Sequence, residues 1–311
     1  MSSSMQAQVA AAHGALARNL LSSVLALAFP DNLATDAQAQ RDFLVQVPQL
    51  QALFQQHNVF DFVTEGKAFD KFHARLFQLI DNAQGVDRAV KRAAFQLLRV
   101  VVEQCPLETL EATLPKLTER VLKMVKYIKD APLVVASACD VARVLVRHVD
   151  VYSPETRRDA HDWIAKLLPA TVAVLQEQST KSEALGDDDV TLFTSAVGVF
   201  TELLHVSPSA VRSTLSKLEG TVVNGALYNA AITSNAQAAL SAARCLASIS
   251  NASDKSHQMW KQVVDRAVEM AHQLVDPVAG KRTVTATPPT GMKSWLRGET
   301  ANAAADVSAL A

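Results

Sequence analysis

From about residue 67 to residue 275, large apolar residues recur at intervals of three and four, and no convincing strand pattern separates the stripes. A segment of this kind hides one face only when it is helical and leans on another helix. Ala68, Phe72, Leu76, Leu79 and Ile80 form one stripe, and Val86, Val90, Ala93, Leu97 and Val101 form the next. Leu110, Leu114, Leu117, Val121, Leu122, Val125 and Ile128 follow, then Val134, Ala138, Val141, Leu145 and His148. Trp163, Ile164, Leu167 and Leu168 open another, which resumes after Pro169 with Val172 to Leu175. Successive helix pairs occupy about 40 residues, in the HEAT and armadillo range. The expected fold is all-α: an irregular HEAT- or armadillo-like α-solenoid of stacked antiparallel helices.

Turn chemistry divides the array. Asn82 to Gly85 supplies one turn, and Cys105-Pro106 ends one helix and opens another. Asp130-Ala131-Pro132 is a break and restart, and Pro115 is expected to kink or split its helix. Ser153-Pro154 and Ser207-Pro208 place a capping hydroxyl before a proline at the first helical position. Upstream, Gln6 to Phe29 has a helical pattern, a second helix is expected from Asp36 to Val47, and Pro48 opens a third. The run Gln176 to Asp189 lacks periodicity and is expected to be an exposed loop. Beyond Asp276-Pro277, Thr, Pro, Gly and Ala dominate. The expected organisation is capping helices over 1–66, a helical repeat domain over 67–275 and a disordered tail over 276–311. One island, Met292 to Leu296, places Trp295 where it could dock in a partner's groove.

Formal net charge is −1, so no whole-molecule field steers the chain to nucleic acid. The chain is 49% hydrophobic and only 5% aromatic, a mix of Ala, Leu and Val that suits close helix packing. Cys105, Cys139 and Cys245 are far apart and read as free thiols rather than disulfides or zinc ligands. No apolar run approaches the ~20 residues of a membrane span, and no membrane partner is expected.

No phosphate-binding GxxxxGK[ST] loop, GxGxxG, HExxH or GxSxG occurs. His161 and Asp162 are adjacent, and neighbours on a helix do not face each other. Cys139 has no histidine at helical spacing that would activate it. No enzyme activity, cofactor or metal is expected. The informative cluster is basic: residues 88–129 carry nine Lys and Arg against four Glu. Arg88, Arg92 and Arg99 share one helix face, and Lys116, Arg120 and Lys123 share another. Such faces suit RNA phosphates or an acidic partner. Few aromatics interleave with them, so base stacking is not indicated.

The order of segments resembles the N-terminal helical domain of the Rix family of pre-ribosomal-RNA-processing proteins. The resemblance runs through FDKFHARLFQLID, KRAAFQLLRVVVEQCP and ERVLKMVKYIKDAPLVVASACDVARVLVRHV to YSPETRRDAHDWIAKLLPATVAVL, and resumes at AARCLASISN and MWKQVV. Ala93 stands where relatives often carry an aromatic. Relatives usually continue into an acidic, proline-rich tail, so this sequence reads as a shortened relative or a fragment. The resemblance implies a nuclear scaffold in large-subunit assembly that binds and does not catalyse. Its implied partners are a WD-repeat protein, a second helical-repeat protein, the midasin-type ATPase and the pre-ribosome, with a homodimer plausible. The rival reading is a generic HEAT-type adaptor in transport, cytoskeleton or signalling.

Overall fold

The computed structural model describes residues 28–55, 67–81, 85–125, 131–179, 186–221 and 235–252, with Ser23, Ala26 and Leu227 besides. Among them are nine α-helices, one 3-10 turn and no strand. The helices are α1 (Ala37–Phe54), α2 (Lys67–Asp81), α3 (Arg88–Gln104), α4 (Leu107–Val125), α5 (Pro132–Arg147), α6 (Pro154–Ser179), α7 (Asp187–Val206), α8 (Pro208–Thr221) and α9 (Ala236–Ala252). The 3-10 turn, Val149–Val151, precedes α6. The chain divides into two compact units, 1–159 and 160–311.

In the first unit, alternate helices pack on one another: α1 on α3, and α3 on α5. α2 packs on α3, and α4 on α5. This alternate-plus-adjacent order is how stacked helical hairpins bury a continuous interior. α3 and α5 sit at the centre. Val90, Ala94, Phe95, Leu97, Leu98 and Val101 of α3 are buried around most of its circumference. α5 buries Val134, Val135, Ala138, Val141, Ala142 and Leu145, and its alanines let neighbouring backbones approach closely. A phenylalanine group ties α1 to α2: Phe29 meets Phe43 at 5.2 Å and Phe72 at 5.5 Å, and Phe54 meets Phe72 at 5.0 Å.

α1 corrects one reading of proline, and α4 narrows another. No new helix starts at Pro48, and Pro115 does not split α4. Both prolines are exposed, while apolar stripes run unbroken past them: Phe43, Val47, Leu50 and Phe54 in α1, and Leu110, Leu114, Leu117, Val121 and Val125 in α4. A mid-helix proline costs ~3 kcal/mol. Fully burying even two such side chains recovers about that much, at ~1.5–3 kcal/mol each. The loop expected over Gln176 to Asp189 is also shorter, because α6 runs to Ser179 and α7 starts at Asp187.

Local chemistry fixes the helix starts. Asp36 caps α1 by accepting from the backbone N–H of Gln38 and Ala39. Asp87 caps α3 by accepting from Ala89 N–H at 2.7 Å. Gln40 of α1, buried at 6% exposure, spans the turn into α3. Its Nε2 donates to Gly85 O at 2.6 Å, and its Oε1 accepts from Asp87 N–H at 3.0 Å. Gly85 has φ +89°, and a Cβ there would sit 3.1 Å from Ala34 O. Only glycine suits that position. Ser153 caps α6 through Thr156 N–H at 3.4 Å, and Pro154 is the first helical residue. Ser153 N–H also donates to Glu111 Oε1 of α4 at 2.5 Å, tying the start of α6 to α4 within the first unit.

In the second unit, α7 packs on α9 and α8. Asn235 caps α9, accepting from Gln237 and Ala238 N–H at 3.1 Å each. Asp187, Asp188 and Asp189 lie in the first turn of α7, where negative charge complements the helix dipole. Against the expectation from the sequence, α7 is long and apolar enough to cross a membrane by length and composition alone. Val190, Phe193, Val197, Phe200 and Leu204 are nevertheless buried, as in the core helix of a helical array.

Candidate functional surface

All six cations singled out in the sequence lie in the first unit, three on α3 and three on α4. Their environments differ. The strip of Arg88, Arg92 and Arg99 occupies the narrow part of α3 that other helices leave uncovered. Arg88 is exposed and Arg92 half-buried. Arg99 is exposed, and its Nε meets Glu103 Oε1 at 2.9 Å one turn on. Its charge is therefore largely balanced within its own helix.

Arg120 is a structural clamp rather than a free cation. Its Nε and Nη2 donate to Asp81 Oδ2 at 3.0 and 2.6 Å, and its Nη1 donates to Lys116 O at 2.9 Å. The guanidinium carbon stands 4.0 Å from the centroid of the Phe77 ring. That ring stacks in turn on His73, centroids 5.5 Å apart. One side chain thus fastens α4 to the C-terminal end of α2, combining a carboxylate fork with cation–π contact. At 20% side-chain exposure it has little left to offer a partner.

Lys116 and Lys123 are exposed on the open side of α4. Lys91 of α3, which periodicity does not place with the arginine strip, joins them electrostatically. Its ammonium is held below the usual lysine range first by partial burial and then by the like charge of Lys123. The second cause brings the α3 and α4 cations into one field. Among the described residues, no carboxylate forms an ion pair with Arg88, Lys91, Arg92, Lys116 or Lys123. The signal for Lys91 was present in the sequence as part of the basic run. Its proximity to Lys123 depends on how α3 and α4 are placed, which helix spacing does not reveal.

The groups considered for chemistry do not converge. Cys139 is fully buried in α5, and burial pushes its thiol up, with Asp140 adding to the effect. Such a thiol is a poor nucleophile. Cys105, at the junction of α3 and α4, is pushed up to about 12 by burial. Cys245 reaches about 12 for the same reason, partly opposed by a hydrogen bond with Thr201. His161 and Asp162 are both exposed. Among the described residues, no group of three or more His, Cys, Asp and Glu is placed to hold a metal ion. Trp295 lies outside the described residues.

No curated protein and no solved structure matches the chain. A family model described as rRNA processing and ribosome biogenesis, that of RIX1, matches residues 11–232. The match takes in α1 to α8, including both cation-bearing helices. This chain belongs to the RIX1 family, whose work is rRNA processing and ribosome biogenesis.

Proposed function

We propose that the chain is a non-enzymatic scaffold for large ribosomal subunit assembly, working by contact on the pre-ribosome in the nucleus. The family match over residues 11–232 carries this reading. The physical support is the stacked array, whose interior is closely filled by Val, Leu, Ala and Phe and whose chemistry-bearing side chains are scattered or buried. An array of this kind offers surface on every turn, and surface is what a scaffold needs.

In the finer form of the proposal, the chain helps remove the internal spacer from pre-rRNA. It does so beside a WD-repeat protein and a second helical-repeat protein, and it recruits a midasin-type remodelling ATPase. We read residues 1–66 as capping the array and 67–275 as forming it, and we assign Trp295, in the segment 276–311, to docking on a partner. A homodimer is part of the same reading.

Affinity purification of the tagged chain with mass spectrometry, alongside gradient sedimentation, tests the proposal. Recovery of ribosome-assembly factors and migration with large-subunit precursors is expected. Recovery of importins or tubulin, with migration as a free protein, would replace it with a general adaptor role.

A further inference from the structure

The geometry points to Arg88, Lys91, Arg92, Lys116 and Lys123 as a sequence-independent binding face for the phosphate backbone of duplex RNA. It deepens the scaffold reading and rests on it for why RNA is at hand. Three observations carry it. First, these five cations have no ion-pair partner among the described residues, whereas Arg99 and Arg120 of the same helices do. Cations paired inside the protein have already spent their charge; the remaining five keep theirs for an external anion.

Second, the face bridges two helices. Arg88 and Arg92 lie ~6 Å apart along α3, and Lys116 and Lys123 ~10 Å apart along α4, at ~1.5 Å rise per residue. α3 and α4 are separated by only two residues and both pack on α5, and the like charge of Lys123 acts on Lys91 across them, so one anion can meet cations from both helices. Two exposed carboxylates flank these cations, Asp87 beside Arg88 and Glu119 between Lys116 and Lys123, so five positive charges still leave the face an excess.

Third, the face lacks what other partners need. Phe95 is fully buried and Phe77 lies under Arg120, so neither aromatic is offered for stacking on unpaired bases. Among the described residues, the large exposed apolar side chains are Val45, Leu107, Val151 and Leu240, none of them within the cation set. A protein partner gains most of its affinity from apolar or aromatic anchors, which this face does not supply. Duplex RNA is read through shape and phosphates, which cations alone can satisfy.

The test is filter binding of the purified full chain to an arbitrary RNA duplex of about 16 base pairs. It is run between about 50 and about 200 mM salt, where log affinity should fall linearly with log salt at about −0.7 to −0.9 per phosphate contacted. A triple variant, Arg88→Glu, Arg92→Glu and Lys123→Glu, is expected to lose at least tenfold in affinity and to flatten that slope by about one per contact. Arg99→Gln with Glu103→Gln should stay within twofold. Circular dichroism confirms that the triple variant folds; should it not, Lys116→Gln with Lys123→Gln, on exposed side chains, gives the same reading. Unchanged binding by the folded variants, no duplex binding even at low salt, or binding to poly-glutamate instead of RNA would each overturn the inference. A chain that sediments with pre-ribosomes yet does not bind duplex RNA would discard this face and leave the scaffold reading standing. The opposite pattern would discard the scaffold reading.

Discussion

α3 and α4 are neighbours in sequence, separated by two residues, and each carries three of the predicted cations, yet they are built on opposite plans. α3 is gripped by α1, α2 and α5 and leaves one strip to solvent. α4 leans on α5 along a single stripe and keeps a broad open side. The lesson is that helical spacing alone does not say what a charged residue is for. On α3 the cations sit on the strip left uncovered; on α4 the open side has room for free lysines as well as for an arginine turned inward as a fastener.

The contrast breaks most sharply through core truncation. Leu98 and Leu97 lie about 100° apart on α3, and both are fully buried. Leu98→Ala and Leu97→Ala should each cost about 2–5 kcal/mol in urea unfolding. On α4, Leu122→Ala, at a half-buried position beside the stripe, should cost clearly less than Leu117→Ala. Equal losses at Leu117 and Leu122 would mean that α4 is gripped all round as α3 is.

The fastenings give the next tier. Gln40→Ala removes both hydrogen bonds that hold the turn into α3 and should cost about 1–3 kcal/mol, at ~0.5–1.5 kcal/mol for each bond, because Gly85 and Asp87 are exposed and water can take over their backbone groups. Arg120→Ala should cost about 1–2 kcal/mol from its lost cation–π and charge-assisted contacts. Arg120→Lys should recover only part, since an ammonium cannot fork onto Asp81 while covering Phe77. Arg99→Gln should change stability by about 0.5 kcal/mol or less, as an exposed pair within one helix.

The junction between the two helices adds a pH signature. The folded chain holds the Cys105 thiol near 12, above its ordinary 9.0. A pKa raised by folding contributes stability that is intact below about 9 and drains away as pH rises towards about 12. Comparing wild type with Cys105→Ser, urea midpoints should therefore converge as pH increases through that window. The effect should stay under about 1 kcal/mol at pH 10, because the thiol is only half-buried.

Much of this architecture was readable from residue order. The stripes Val90–Ala93–Leu97–Val101 and Leu110–Leu114–Leu117–Val121 are buried, and caps such as Ser153-Pro154 start helices as expected. The continuity of α1 and α4 was not readable, because proline's local cost is visible in sequence while the burial that outweighs it is tertiary. The roles of Arg120 and Gln40 were hidden for a related reason. Their partners stand 39 and 45 to 47 residues away, and no local pattern links such positions. The Arg99–Glu103 pair, by contrast, was open to inspection at four-residue spacing.

The most direct test of the central claim, that this chain serves rRNA processing by holding rather than by reacting, is complementation read out on rRNA precursors. Cells depleted of the chain should accumulate spacer-containing pre-rRNA on hybridisation. A copy bearing Cys139→Ala and His161→Ala is predicted to restore processing fully. A folded double variant that leaves the precursor uncleared would contradict the account and place chemistry where only contact has been assigned.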